Sequence, residues 1–311
     1  MAVVAVAATA AAVALVDRGQ SAPPAGSVPT STAAPRSETG KPEPRPGAFS
    51  IATAGDCLDW PASNVAAARL VDCAGEHRFE VTEAIDTRVL PDNEFGDAAP
   101  PPTEERIQQL GIERCEAAAR QYLGPKFLPI SKFTISVLWA GERGWRQRGE
   151  RTVLCGLQLA GVDGELEMIQ GRVADLDQSR VWPAGTCLGI DPATKQPTDI
   201  PVDCTAPHSM EITGMVDVGA TFPDALPPEA DQDTVVKQAC TEITDAYLAP
   251  LQLGETALML IYSTVPPENW AAGSRRASCS VGAPRDDGGW SELLNGVKGN
   301  LLIDGDPPVP R

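Results

Sequence analysis

The stretch VDCAGEHRFE, Val71 to Glu80, returns as VDCTAPHSME, Val202 to Glu211, and the two copies between them use both histidines of the chain. The cysteines repeat around them. Cys57, Cys73, Cys115 and Cys155 are followed by Cys187, Cys204, Cys240 and Cys279, with nearly parallel gaps. No CxxC occurs, which argues against thioredoxin-like and zinc-ribbon chemistry. An even cysteine count in such an array points to disulfides in an oxidising compartment. If both copies share one pattern, three pairings remain. The local one is preferred because it closes short loops between neighbouring elements: Cys57–Cys73, Cys115–Cys155, Cys187–Cys204 and Cys240–Cys279.

The rest of each copy follows in register. Each opens on a Gly-x-Cys turn (AGDCLDW and AGTCLGI) and reaches the histidine strand, then a long acidic, Pro-containing loop. A helix comes next. Thr103 is a plausible N-cap ahead of Glu104 and Glu105, and Ile107, Leu110, Cys115, Ala118 and Tyr122 recur at helical spacing. Val235, Val236, Ala239, Cys240, Ile243 and Tyr247 do the same in the second copy, and both helices stop at Tyr-Leu with a proline soon after. Two strands close each copy, the last preceded by a Trp–Gly–Arg cluster: Trp145 and Arg151 in the first, Trp270 and Arg275 in the second.

These features predict an α+β chain of two tandem β-β-α-β-β modules, residues 50–165 and 178–285. Each is a mostly antiparallel, disulfide-stabilised sheet carrying one helix. Residues 286–311 form a tail in which WSELLNGV reads as an amphipathic turn or two.

Ahead of the modules, residues 1–16 are almost wholly apolar but too few for a ~30 Å hydrocarbon core. They read as the distal part of a membrane anchor, or as a signal-like segment. Residues 17–49, rich in Pro, Ala, Ser and Thr, read as a disordered spacer. The net charge of −17 argues against a nucleic-acid partner.

Strand alternation places His77 and His208 on an apolar face and Glu80 and Glu211 on the other. The pairs then diverge, and each histidine reads as a structural ring orienting a turn. Trp145, Arg151, Trp270 and Arg275 read likewise as packed Trp and strand-edge Arg. No nucleophile elbow, phosphate loop or zinc-protease motif is present. Catalytic residues, cofactor and metal ligands are therefore assigned to no position.

The repeated frame Gly-x-Cys, Val-Asp-Cys-x-x-x-His-x-x-Glu, helical Cys and Trp–Gly–Arg–Cys resembles the septum-formation domain of actinobacterial envelope proteins. The resemblance spans about residues 52–159 and 184–281. It implies a single-pass membrane anchor, an extracytoplasmic region, a link to cell division, and envelope or division proteins as partners. It carries no catalytic residue across. The expected function is non-catalytic binding at the cell envelope. An envelope hydrolase working between the modules and a ligand-sensing ectodomain are the alternatives, and enzymatic activity is left open.

Overall fold

The computed structural model describes residues 47–62, 64–91 and 94–308. The expected anchor (1–16) and nearly all of the spacer (17–49) lie outside the described residues. Among the described residues, no helix is long and apolar enough to cross a membrane.

The first half runs α1 (Ala48–Ile51), β1 (Cys57–Asp59), β2 (Arg69–Val71), β3 (Glu76–His77), β4 (Phe79–Asp86), α2 (Glu104–Leu123), β5 (Phe133–Trp139), α3 (Gly141–Arg143), β6 (Thr152–Ala160), β7 (Leu166–Glu167) and β8 (Ile169–Gln170). The second runs β9 (Cys187–Ile190), β10 (Pro197–Val202), β11 (His208–Asp217), α4 (Val218–Thr221), α5 (Glu229–Leu248), β12 (Met259–Tyr262), α6 (Pro267–Ala271), β13 (Arg276–Gly282), β14 (Leu293–Leu294) and β15 (Leu302–Ile303).

One sheet has the order β2-β1-β4-β6-β5, with β7 on β6. The other has β10-β9-β11-β13-β12, with β14 on β11 and β15 on β14. A two-stranded ribbon joins β3 to β8. All pairings are antiparallel, in an α+β arrangement with few helices. In each half three strands, not the expected two, precede the long helix in its main sheet. The added strand, β2 or β10, is an edge strand whose residues are mostly not buried, so no apolar alternation marks it.

The two sheets share local devices. Gly55 N–H donates to Val81 O at 2.8 Å, and Gly185 N–H donates to Ile212 O at 2.8 Å. These glycines adopt φ of +90° and +89°, the left-handed region where a Cβ is disfavoured, which is why Gly precedes each Cys by two residues. A register shift interrupts β4–β6 between Val81 and Glu83, and β11–β13 between Ile212 and Gly214. Such a bulge bends the strand and reorients the side chains beyond it.

Both faces of the first sheet are covered, so β6 is buried almost continuously and shows no alternation. The long helix α2 lies on one face, where Ile107, Leu110 and Cys115 meet Val153 and Cys155. On the other, Phe49 of α1 joins Leu58, Trp60, Phe79, Val81 and Leu154. Gly156 sits where a Cβ would lie 2.3 Å from the Phe79 ring and 2.4 Å from Glu80 O. In the second sheet the corresponding face, with Leu188, Met210 and Ile212, is covered by Trp182, Leu159 and Trp290. Leu159 belongs to β6, so the halves share this cluster.

Thr103 caps α2 by accepting a hydrogen bond from Arg106 N–H at 3.2 Å, with Glu104 and Glu105 in the first turn. The disulfides are Cys57–Cys73, Cys115–Cys155, Cys187–Cys204 and Cys240–Cys279, and no cysteine is free. In each half the first bridge closes the hairpin at the Gly-x-Cys turn, and the second ties the long helix to the strand beneath it.

Candidate functional site

In the first copy of the motif the histidine and glutamate do not diverge. One ligand-type atom each from Cys57, His77 and Glu80 lies within 4.8 Å of the others. Alternation fails because the strand is broken at Arg78: His77 pairs with Ile169 of β8, whereas Phe79 and Glu80 pair with β1. In the second half β11 is continuous, but its register against β9 shifts between His208 and Met210. There Glu211 groups with Cys187 and Cys204, and His208 is not part of the cluster.

Each glutamate is closed on all sides. Glu80 is wholly buried. Its Oε1 accepts from the Tyr122 hydroxyl at 2.7 Å and its Oε2 from the Val173 amide at 2.8 Å. Glu211 is buried likewise, accepting from the Tyr247 hydroxyl at 2.5 Å and the Val297 amide at 2.7 Å. Both tyrosines sit in the last turn of their helices, so the Tyr-Leu ending fixes a buried carboxyl as well as stopping the helix. The amides come from segments in equivalent settings. Ile169 pairs with His77, Leu293 pairs with His208, and a residue of positive φ follows each strand, Gly171 and Asn295. WSELLNGV therefore contributes strand β14 rather than helical turns.

The histidines are wholly buried. Nδ1 of His77 donates to Gly75 O at 3.0 Å, and Nδ1 of His208 donates to Ala206 O at 2.9 Å, each closing the turn that follows its cysteine. Among the described residues, Nε2 of both rings has no hydrogen-bonding partner. Burial lowers the His208 pKa, holding the ring neutral. The neighbouring sulfurs are in disulfides and each carboxyl is occupied by a hydroxyl and an amide. A metal would need reduction of the bridge and release of the tyrosine before these atoms could serve as ligands.

Burial first, and then the hydrogen bond to Glu80, push the Tyr122 phenol up to about 12; Tyr247 moves the same way for the same causes. A raised phenol contributes stability that is complete below the unfolded value of about 10 and is lost as pH climbs through the folded value. Alkaline titration followed by phenolate absorbance is expected to leave Tyr122 and Tyr247 un-ionised at about pH 11, with both ionising near pH 10 once denaturant unfolds the chain. Ionisation of all three tyrosines near pH 10 in the folded protein would refute the buried pairing.

The Trp–Gly–Arg cluster is also built twice. The Arg151 guanidinium lies 3.9 Å from the Trp145 ring centre and donates to Trp145 O at 2.9 Å. That of Arg275 lies 3.8 Å from the Trp270 ring centre and donates to Trp270 O at 2.6 Å. The main chain of each arginine in turn accepts the amide that ends the histidine strand, from Thr87 or Val218.

The family model described as septum formation matches residues 54–279. Two proteins from strains of Mycobacterium tuberculosis, both described as uncharacterized membrane proteins, are 57% identical over 262 residues. The match covers 84% of this chain and 58% of each relative, so the chain spans somewhat over half their length. No solved structure matches. With the matched region taking in both cysteine sets and both histidine motifs, the chain belongs to the septum formation family.

Proposed function

We propose that this chain is a non-catalytic binding protein of the cell envelope that acts in septum formation, presenting two copies of one disulfide-framed module outside the membrane. The observation that carries the reading is the doubled centre. In both halves the groups capable of chemistry are consumed in structural bonds: Glu80 and Glu211 by tyrosine and amide, the cysteines by each other. Two rigid modules on one chain support binding through combined avidity. In this reading each module extends past the expected ends at 165 and 285 to include the segment that supplies Val173 or Val297. The relatives' description as membrane proteins supports an N-terminal anchor and an envelope location.

Photoreactive residues placed at Val89, Ile112 and Ile130, which are 78%, 75% and 68% exposed, provide the test in the full-length protein in dividing cells. Discrete adducts with envelope proteins are expected. Absence of adducts at every position, together with hydrolysis of envelope material that His208→Ala abolishes, would overturn the proposal.

A further inference from the structure

The two Trp–Arg clusters differ in what covers them. In the first half, the loop after β4 folds over the pair. The Phe95 ring meets Trp145 edge-on at 6.2 Å, Ala99 O accepts from Trp145 Nε1 at 3.0 Å, and Asp97 O accepts from Arg151 Nη2 at 3.0 Å. Trp139 adds a second edge-on contact at 6.3 Å. Trp145 and Arg151 are consequently 3% and 7% exposed.

In the second half this cover is missing. The corresponding connection is shorter, residues 218–228 in place of 87–103. By register, Tyr262 opposite Cys279 matches Val137 opposite Cys155, so Thr264 stands where the first half has Trp139. Phe222 packs in the core cluster against which Trp270 also rests, but among the described residues no aromatic ring pairs with Trp270. Neither Trp270 Nε1 nor Arg275 Nη2 has a hydrogen-bonding partner among them, and both residues are only partly buried.

We propose that the Trp270–Arg275 face binds a segment of a partner protein that does there what residues 95–99 do in the first half. Resting on the envelope-binding reading above, this specifies the partner's chemistry. The ligand is an extended peptide with an aromatic ring set against Trp270. Backbone carbonyls two and four residues further on accept from Arg275 Nη2 and Trp270 Nε1. An acidic residue near the first carbonyl adds charge attraction to the guanidinium. Aromatic edge contact and two carbonyl acceptors together make an anchor of the kind that dominates small interfaces.

The first half supplies the probe: a synthetic peptide of residues 94–101, EFGDAAPP. Titrated into the folded chain, it is expected to shift the Trp270 indole N–H resonance saturably. Changing its Phe to Ala is expected to weaken binding about tenfold. Trp270→Phe, which keeps a ring but removes the N–H, is expected to weaken binding about tenfold as well, with the melting temperature close to that of the parent. No shift of the Trp270 resonance at millimolar peptide, or equal binding by Trp270→Phe, would overturn the site. A photoreactive residue at Asn269 in dividing cells separates this proposal from the broader one. Adducts at Asn269 through an aromatic-containing segment support it. Adducts only at Val89, Ile112 or Ile130 overturn the site and leave envelope binding standing; adducts nowhere overturn the site, and joined with the His208-dependent hydrolysis named above they overturn both.

Discussion

Glu80→Ala is expected to destabilise the chain by about 3–5 kcal/mol, because it strands the buried Val173 amide at about 1–3 kcal/mol, leaves the partly buried Tyr122 hydroxyl without its acceptor, and opens a cavity. For a folded unit of this size that corresponds to a fall in Tm of roughly 10 °C. Tyr122→Phe removes one donor and leaves the carboxyl its amide partner, so about 1–2 kcal/mol is expected. Glu211→Ala and Tyr247→Phe should repeat the pair of values in the second half, where the bonds are the same. Urea unfolding monitored by tryptophan fluorescence measures all four. A Glu80→Ala cost below that of Tyr122→Phe would show that the carboxyl is not the hub of the centre.

Deleting a long-loop bridge is the second large effect. The Cys115–Cys155 and Cys240–Cys279 bridges span separations of 40 and 39 residues, whereas Cys57–Cys73 and Cys187–Cys204 span 16 and 17. The chain-entropy model assigns ~4 kcal/mol to the longer loops and ~3 kcal/mol to the shorter. The paired substitution of Cys115 and Cys155 by alanine should therefore lower the urea midpoint more than that of Cys57 and Cys73. Cys57 and Cys73 are buried, as are Cys115 and Cys155, so alanine carries a cavity cost in both pairs and loop length decides the order. A larger loss from the short-loop pair would mean that holding the Gly-x-Cys turn outweighs chain entropy.

Much of this architecture is written in short-range signals. The helix α2 begins after Thr103 because a hydroxyl there can cap it, and the cysteine spacing, once doubled, leaves few sensible pairings. What strand periodicity could not show was its own interruption. His77 and Glu80 were expected on opposite faces, but the change of partner at Arg78 resets the alternation, a tertiary effect with no local mark. The closing segments were equally obscure. Ile169 and Leu293, each in a two-residue strand, are too brief to read as strands, and their role depends on pairing with His77 and His208. A signal was nonetheless available. Both long helices end in Tyr, and Ile-x-Gly-x-Val at 169–173 parallels Leu-x-Asn-x-Val at 293–297, with Gly and Asn both at a left-handed position. Tyr122 and Tyr247, read only as helix positions, and Val173 and Val297, given no role, turn the repeated glutamates into closed centres.

The central claim is that both halves rest on the same locally bridged frame, which leaves the motif residues structural. Peptide mapping of oxidatively produced protein, alkylated before and after reduction, tests it most directly. The account predicts four bridges, Cys57–Cys73, Cys115–Cys155, Cys187–Cys204 and Cys240–Cys279, and no alkylated cysteine before reduction. Free thiols at Cys57 and Cys73, which would stand beside His77 and Glu80, or a bridge joining the halves, would contradict it.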